Sequence, residues 1–151
     1  MNNVRKDAAT ELGLARETLG DAETILNAGV PHVAAREAYY AAYHAAQARI
    51  AFSGRDVPGT HKGVSMLIGQ IYSDGEFRAQ SVLSKLEDLK EASDYARGKR
   101  ADGPMAREAI DVARDFVDRI ASDLGDSAEK KQLTAAEMAR LLSMKRGGIG
   151  G

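Results

Sequence analysis

The sequence of 151 residues contains no cysteine and no tryptophan, and only three prolines. Without cysteine the chain has no disulfide, no thiolate metal ligand and no cysteine nucleophile, a composition that fits a reducing cytoplasm. Aromatic residues make up 5% of the chain, whereas alanine is abundant. This balance favours close-packed helices over a β-sandwich, which would need more β-branched and aromatic residues.

Long apolar runs and an excess of one charge are also missing. No stretch approaches the roughly 18 uncharged apolar residues of a membrane-spanning helix. The beginning, MNNVRKDAATELGLARETLG, is charged throughout and lacks the apolar region of a signal peptide. The formal net charge is −1, which gives no general attraction for nucleic acid but is compatible with a local basic patch. We therefore expect a cytoplasmic protein without a membrane partner.

Helical periodicity is the main signal that is present. Apolar residues recur at steps of three and four, and polar or flexible residues interrupt them. The pattern predicts a first helix that is capped by Asn2 or Asn3 and ends at Gly29, and a second helix over 31–52 that stops at Gly54. It predicts a third helix capped by Thr60. A fourth helix is predicted over about 77–97 and a fifth from Pro104 to about 124. The predicted fold class is all-α, an up-and-down bundle of four to five helices.

The composition divides the chain near residue 125. Residues 1–125 are predicted to form the bundle, with the second helix at its centre because that helix is apolar or small on several faces. Residues 126–151 are predicted to be a linker, a short amphipathic helix over 134–146 and a flexible glycine-rich end.

The familiar motifs of nucleotide, metal and serine enzymes are missing. There is no HExxH, no GxSxG, no Walker loop and no GxGxxG after a strand. The three histidines, His32, His44 and His61, have no carboxylate cluster beside them in the sequence. We therefore expect no metal site and no cofactor.

The segment REAYYAAYH, residues 36–44, places polar side chains along one sector of the second helix. Arg36, Tyr40 and Tyr43 follow at steps of four and three residues, which return nearly to the same face. His44 lies about 80° away from Arg36 around the helix. The stripe suits a phosphate or a base, but tyrosine rings also pack structurally with their hydroxyls at the rim. The residues alone leave both interpretations open.

The segment GRDVPGTHKGV, residues 54–64, joins the second and third helices. It can be a simple polar connector with an exposed Arg55. In the functional interpretation, the helix N-terminus lowers the pKa of His61 and favours the neutral base, while Arg55 stabilises a phosphate. Such a pair can cleave RNA without metal, since the imidazole takes the 2′-hydroxyl proton and the guanidinium stabilises the phosphorane. A second copy of the chain would supply the missing acid.

Three segments together resemble the HEPN superfamily of small helical domains: AREAYYAAYHAAQARIAFSG, THKGV and LEDLKEASDYA. The likeness covers about residues 5–124 and points to the prokaryotic branch often encoded beside a minimal nucleotidyltransferase. It implies a helical bundle that dimerises and, in active members, a metal-independent ribonuclease. The signature of active members is an Arg, a polar residue and then a His, which RDVPGTH matches. Typical nuclease members carry that signature at a later helix, and Lys90 stands where this branch often has an Arg.

The resemblance implies the toxin-like half of a toxin–antitoxin or defence pair, acting as a metal-independent endoribonuclease. Its catalytic residues would be Arg55, Asp56 and His61, and its RNA- or nucleotide-binding residues Arg36, Tyr40, His44, Asp94 and Tyr95. The expected partners are a second copy through alanine-rich helix faces, a cognate nucleotidyltransferase antitoxin, and RNA or a nucleotide. The alternatives are a non-catalytic module that binds a nucleotide or a protein, and an assembly part that docks through the tail helix.

Overall fold

The computed structural model describes residues 6–95 and 100–125, with only the backbone given for 92–95. Within these ranges the chain forms five helices and no strand, so the predicted all-α bundle is confirmed. The helices are α1 (Ala8–Asn27), α2 (Pro31–Phe52), α3 (His61–Ile71), α4 (Ala79–Tyr95) and α5 (103–125). The predicted tail helix lies outside the described residues. No helix in the described ranges has the length and apolar character needed to cross a bilayer.

The start of α1 differs from the prediction, and its end agrees with it. Asp7 is the N-cap in place of Asn2 or Asn3, because its carboxylate accepts the backbone N–H of Thr10 at 2.9 Å. At the other end Gly29 has φ +85°. Its N–H bonds to the carbonyl of Leu26, and the next N–H bonds to Ile25. This Schellman motif satisfies two terminal carbonyls and needs a left-handed residue, which glycine supplies without strain.

Helix α2 is the centre of the bundle, as its apolar character predicted. It packs against α1, α3 and α4. Its alanines allow close approach of these neighbours, and eight of them are completely buried: Ala34, Ala35, Ala38, Ala41, Ala42, Ala45, Ala46 and Ala48. The expected dimer contact through alanine-rich faces is therefore wrong for α2, because these side chains are already covered within one chain.

The fifth helix completes the core. Its predicted inward stripe is confirmed, since Ile110, Phe116, Val117 and Ile120 are all at most 1% exposed. Helix α5 begins at 103 beside Asp102, whose carboxylate accepts the backbone N–H of Met105 at 2.9 Å. A buried aromatic and branched aliphatic stripe of this kind contributes several kcal/mol through burial, at roughly 25 cal/mol per Å² of apolar surface.

The chain divides into two compact units, Met1–Ala121 and Ser122–Gly151. The first unit contains α1 to α4 and most of α5. Of the second unit, the structure describes only 122–125, which are the last residues of α5. The division into a bundle and a tail at residue 125 stays a prediction.

Candidate functional site

The loop between α2 and α3 positions His61 as the first residue of α3. The loop leaves α2 through Gly54, which has φ +84°, and buries Val57 to 1% exposure. Thr60 then caps α3, as predicted, and its hydroxyl accepts the backbone N–H of Gly63 at 3.0 Å. A Cβ on Gly63 would lie 2.7 Å from the Cβ of Pro58. Gly63 is therefore needed for the loop to fold against the first turn of α3.

The His61 ring lies against three tyrosines of α2. Its Nδ1 is 2.9 Å from the hydroxyl of Tyr39, a side chain that is only 2% exposed. The ring centroid of Tyr43 lies 4.3 Å from that of His61, and the centroid of Tyr40 lies at 6.2 Å. The imidazole itself remains 40% exposed. One ring nitrogen is thus fixed by a buried phenol, while the ring stays accessible to a ligand.

Charged side chains of α4 approach the same cluster. An oxygen of Glu87 lies 4.0 Å from Nδ1 of His61, and the Lys90 ammonium lies 5.9 Å from the Tyr39 ring and 5.8 Å from the Tyr40 ring. The pKa of His61 is lowered, chiefly because partial burial disfavours its charged form. Lys90 adds to this shift, whereas Glu87 opposes it. The sequence predicted the direction from the helix N-terminus, but burial is the main cause. His61 is therefore mainly neutral at pH 7.

A second imidazole, His44, faces a carboxylate of α1. Its Nδ1 lies 3.1 Å from Oε1 of Glu11, which is 5% exposed, and the His44 ring is 28% exposed. An ionised carboxylate only accepts hydrogen bonds, so it is Nδ1–H of His44 that donates to Glu11. The carboxylate fixes the orientation of the ring, as buried carboxylates do beside catalytic histidines.

An open groove of about 400 Å³ connects these features. We call it the tyrosine groove, and it is lined by Lys6, Tyr40, Tyr43, His44, Gln47, Pro58 and Gly59. His44 lines the groove directly. His61 packs on Tyr40 and Tyr43, two of the groove's walls. Two part-exposed imidazoles with different partners on Nδ1 therefore border one aromatic surface.

The structure brings together some of the predicted site residues and separates others. Tyr40 and His44 line the tyrosine groove, and His61 packs against the Tyr40 ring. Arg55 and Asp56 are exposed in the loop. Across residues 6–95 and 100–125, no hydrogen bond, ion pair or ring contact joins Arg55 to the imidazole of His61. The assignment of Arg55 and Asp56 as catalytic residues therefore stays a prediction.

The remaining predicted binding residues lie elsewhere on α2 and α4. Arg36 is one turn before Tyr40 on α2 and is half-buried, but it does not line the groove. Asp94 and Tyr95 are in the last turn of α4, and their side chains lie outside the described part of the structure. Their proposed roles stay predictions.

Sequence reasoning missed Glu11, Tyr39 and Gln47. A signal for Glu11 was present, because positions 8, 11, 15, 19 and 22 form one continuous helical stripe, and a carboxylate within a buried stripe needs a partner. Tyr39 and Gln47 carried no comparable signal, since α2 is apolar on several faces. In the described ranges, no group of three or more His, Asp or Glu side chains is placed to share a metal ion.

The HEPN domain family matches residues 12–124 of the chain. The chain belongs to the HEPN domain family. A UPF0332 protein of Archaeoglobus fulgidus is 33% identical to this HEPN protein over 110 residues, which cover 70% of this chain and 85% of the relative. The family resemblance seen in the sequence is thereby confirmed. The matched range contains His44, His61 and all three tyrosines of the cluster, while Glu11 stands one position before it.

Proposed function

We propose that this HEPN protein is a metal-independent endoribonuclease in which His61 and His44 act as base and acid. The observation that carries the proposal is the pair of imidazoles bordering the tyrosine groove, one held by a buried phenol and the other by a buried carboxylate. The base and the acid of RNA cleavage need different protonation states at the same pH. The lowered pKa of His61 suits the role of the base, and the proposal assigns the role of the acid to His44.

His61 takes the role of the base. Its lowered pKa keeps the ring neutral near pH 7. With Nδ1–H donating to the Tyr39 hydroxyl, the lone pair of Nε2 is available for the proton of a ribose 2′-hydroxyl. The resulting 2′-oxygen attacks the adjacent phosphorus and forms a 2′,3′-cyclic phosphate.

His44 takes the role of the acid. In this role Glu11 holds Nδ1–H of His44, and the imidazolium protonates the departing 5′-oxygen, which balances the proton taken by His61. The sequence suggested that a second chain would supply this acid, whereas the proposal assigns the role to His44 of the same chain. Arg55 remains the proposed cation for the phosphorane, since its loop immediately precedes His61 and leaves its side chain exposed.

The test is cleavage of a single-stranded RNA in EDTA by the wild type and by His61→Ala and His44→Ala. We expect 2′,3′-cyclic phosphate ends from the wild type and a loss of about 10²- to 10⁴-fold in each variant. His32→Ala is the matched control, because His32 is bonded to Arg100 at 3.2 Å and does not line the tyrosine groove. Intact RNA with the wild type, or equal rates in all variants, contradicts the proposal.

A second candidate is a binding module that holds RNA or a nucleotide without cleaving it. The missing contact between Arg55 and His61 and the net charge of −1 favour this alternative. Binding of 2′-O-methyl RNA, which cannot be cleaved through the 2′-oxygen, separates the two candidates. Binding of that RNA together with complete stability of ordinary RNA in EDTA supports the module.

The proposed biological setting is the toxin half of a toxin–antitoxin or defence pair in the cytoplasm. It rests on membership of the HEPN family and on the ribonuclease proposal. Expression of the wild type should arrest growth, whereas His61→Ala should not, and a cognate nucleotidyltransferase should relieve the arrest. Sedimentation of the purified chain tests the proposed homodimer.

A further inference from the structure

The tyrosine groove contains a buried amide that has no hydrogen-bond partner among the described residues. Gln47 is 5% exposed and lines the groove. No hydrogen bond joins its amide to any residue in the ranges 6–95 and 100–125. Both of its polar atoms therefore keep some accessible surface, because no fully enclosed side-chain nitrogen or oxygen in these ranges lacks a partner. Buried amides are usually hydrogen-bonded, so this one is positioned for a ligand.

The walls of the groove indicate which ligand. Tyr40 and Tyr43 supply aromatic rings, on which unpaired bases commonly stack. Lys6 supplies a cation at the edge, which suits a phosphate. A volume of about 400 Å³ lies within the range of small-molecule sites. A flat aromatic ligand with polar edge atoms and an attached phosphate meets all three conditions.

We propose that the tyrosine groove is a subsite for one unpaired nucleobase, whose polar edge is read by the amide of Gln47. The proposal that the groove binds a base depends only on the geometry of the groove. Its role in placing the ribose beside His61 and His44 rests on the proposed ribonuclease function. The base can come from single-stranded RNA or from a free nucleotide, since both present the same edge.

The chemistry of the amide defines the specificity. A glutamine amide offers one donor and one acceptor side by side, which matches the amino group and ring nitrogen of adenine. Turned over, it also matches the N1–H and O6 of guanine. The wild type should therefore bind both purines with similar affinity. Glu in the same place offers only acceptors and favours guanine, whose N1–H and amino group are adjacent donors.

The first measurement follows the side-chain amide of Gln47 in the wild type by NMR. The probes are AMP, GMP and a 2′-O-methyl tetranucleotide, with inorganic phosphate as a control. We expect the Gln47 resonances to move with the nucleotides and not with phosphate. Movement with the tetranucleotide alone assigns the base to an RNA strand, and movement with the mononucleotides as well shows that a free nucleotide suffices. Unchanged Gln47 resonances at saturating probe overturn the inference.

Variants give the second measurement. Gln47→Met keeps the volume without the hydrogen bonds and should weaken binding of AMP and GMP at least tenfold, read from tyrosine fluorescence because the chain has no tryptophan. Gln47→Glu should raise the ratio of GMP to AMP affinity at least fivefold. Gln70→Met is the matched control, since Gln70 is exposed on α3. Equal binding by Gln47→Met and the wild type overturns the inference.

The two proposals fail in different ways. All binding probes are read without any cleavage step, so an inactive wild type that still moves the Gln47 resonances retains the base subsite and loses only the ribonuclease proposal. Cleavage that persists unchanged in Gln47→Met, without base binding in the groove, retains the ribonuclease and overturns the subsite.

Discussion

Two of the four carboxylates of helix α1, Glu11 and Glu23, have partners that differ in one decisive property. Glu23 is bonded to Arg107 through both oxygens, at 2.8 and 2.7 Å, and also to Arg114. Glu11 is bonded to His44 alone among the described residues. Arginine is charged at every working pH, whereas histidine changes charge between about pH 5 and 8. Glu23 is therefore held by two permanently charged guanidinium groups, whereas Glu11 is held by one imidazole.

The more buried of the two carboxylates, Glu11, is the one without a permanently charged partner among the described residues. Selection for stability alone would favour the reverse arrangement. The half-exposed Glu23 has two permanent cations, which hold its pKa at about 2, mainly through hydrogen bonds from Arg107 and Arg114. The buried Glu11 has one titratable partner. A buried ion pair is often no more stabilising than apolar side chains of the same volume. The position of Glu11 is therefore better explained by the orientation that it gives to the His44 ring than by a contribution to folding.

The largest expected effect is on cleavage, in Glu11→Gln. The amide keeps an acceptor for Nδ1–H but is neutral, so the hydrogen bond that orients His44 is weaker. We expect RNA cleavage to fall by about 100-fold, a smaller loss than the extreme case of a buried triad carboxylate. Glu23→Gln is the control and should leave cleavage unchanged. Equal rates in the two variants would remove the distinction between the carboxylates.

Tyr39→Phe tests the other imidazole and should have the next largest effect. Loss of the hydroxyl removes the partner of Nδ1 and frees the His61 ring. Because Tyr39 acts only through His61, it is a positioning residue, and we expect roughly a tenfold loss of cleavage, near the lower end of general acid–base contributions. The pH–rate profile should also change on its acidic side. A lower rate with an unaltered profile would indicate loss of packing alone.

Substitution of glycine by alanine should change the free energy of unfolding in opposite directions at Gly63, beside the site, and at Gly20 in α1. Gly63→Ala would force the new Cβ against Pro58 and should destabilise by about 1–3 kcal/mol, as overpacking does. Gly20→Ala in α1 meets nothing within 4 Å and should stabilise by about 0.5–1 kcal/mol. Denaturant unfolding of both variants measures the difference. A neutral Gly63→Ala would show that the loop does not need its close approach.

The lowered pKa of His61 determines how the stability of the protein changes with pH. Its pKa in the folded chain is below the ordinary value of 6.5, so the unfolded chain binds the proton more readily. The stability that the neutral ring contributes is present above about pH 6.5 and is lost as pH falls below it. NMR titration of the ring should give a pKa under 6.5, and His61→Gln should flatten the slope of stability against pH in this range. A value above 6.5 contradicts the assignment of His61 as the base.

The smallest effect is expected for the ion pairs of Glu23 with Arg107 and Arg114. Glu23→Gln should lower the Tm by a few degrees, because exposed ion pairs contribute modestly even when bidentate. The pKa of Glu23 is lowered to about 2 from 4.5, so its contribution is present above about pH 4.5 and lost as pH falls toward 2. Thermal unfolding of the wild type and Glu23→Gln should therefore converge in strong acid. If the two Tm values also converge in high salt at pH 7, dissolved ions screen the same ion pairs.

Features that depend on a few neighbouring residues could be predicted from the sequence. Contacts between residues far apart in the sequence could not. The bounds of α2 and the cap at Thr60 follow from Pro31, Gly54 and a threonine before an apolar stripe, each of which acts within a few residues. The N-cap of α1 was wrong because several polar residues precede that helix and only the backbone decides among them. The partner of His61, Tyr39, lies 22 residues away, and the partner of His44, Glu11, lies 33 residues away.

The same limit explains the fate of the predicted catalytic set. His61 was identified because the N-terminus of a helix is a local feature. Arg55 was matched by spacing alone, and spacing along a loop does not fix where a long side chain points. Gln47 could not be distinguished from the other polar residues of α2 until the groove beside it was formed. Only the packing of α1 and α3 on α2 defines that groove.

The crowded surroundings of α2 limit how this protein can diverge. Most of its alanines contact another helix and have no room for a larger side chain, while Tyr40, Tyr43, His44 and Gln47 face the groove. The buried positions of such a helix tolerate few larger side chains, so they should change slowly among descendants. New ligand preferences would then have to arise from the neighbours that border the groove, above all the loop over 53–60. The helix would serve as the conserved template, and the loop would be where lineages separate.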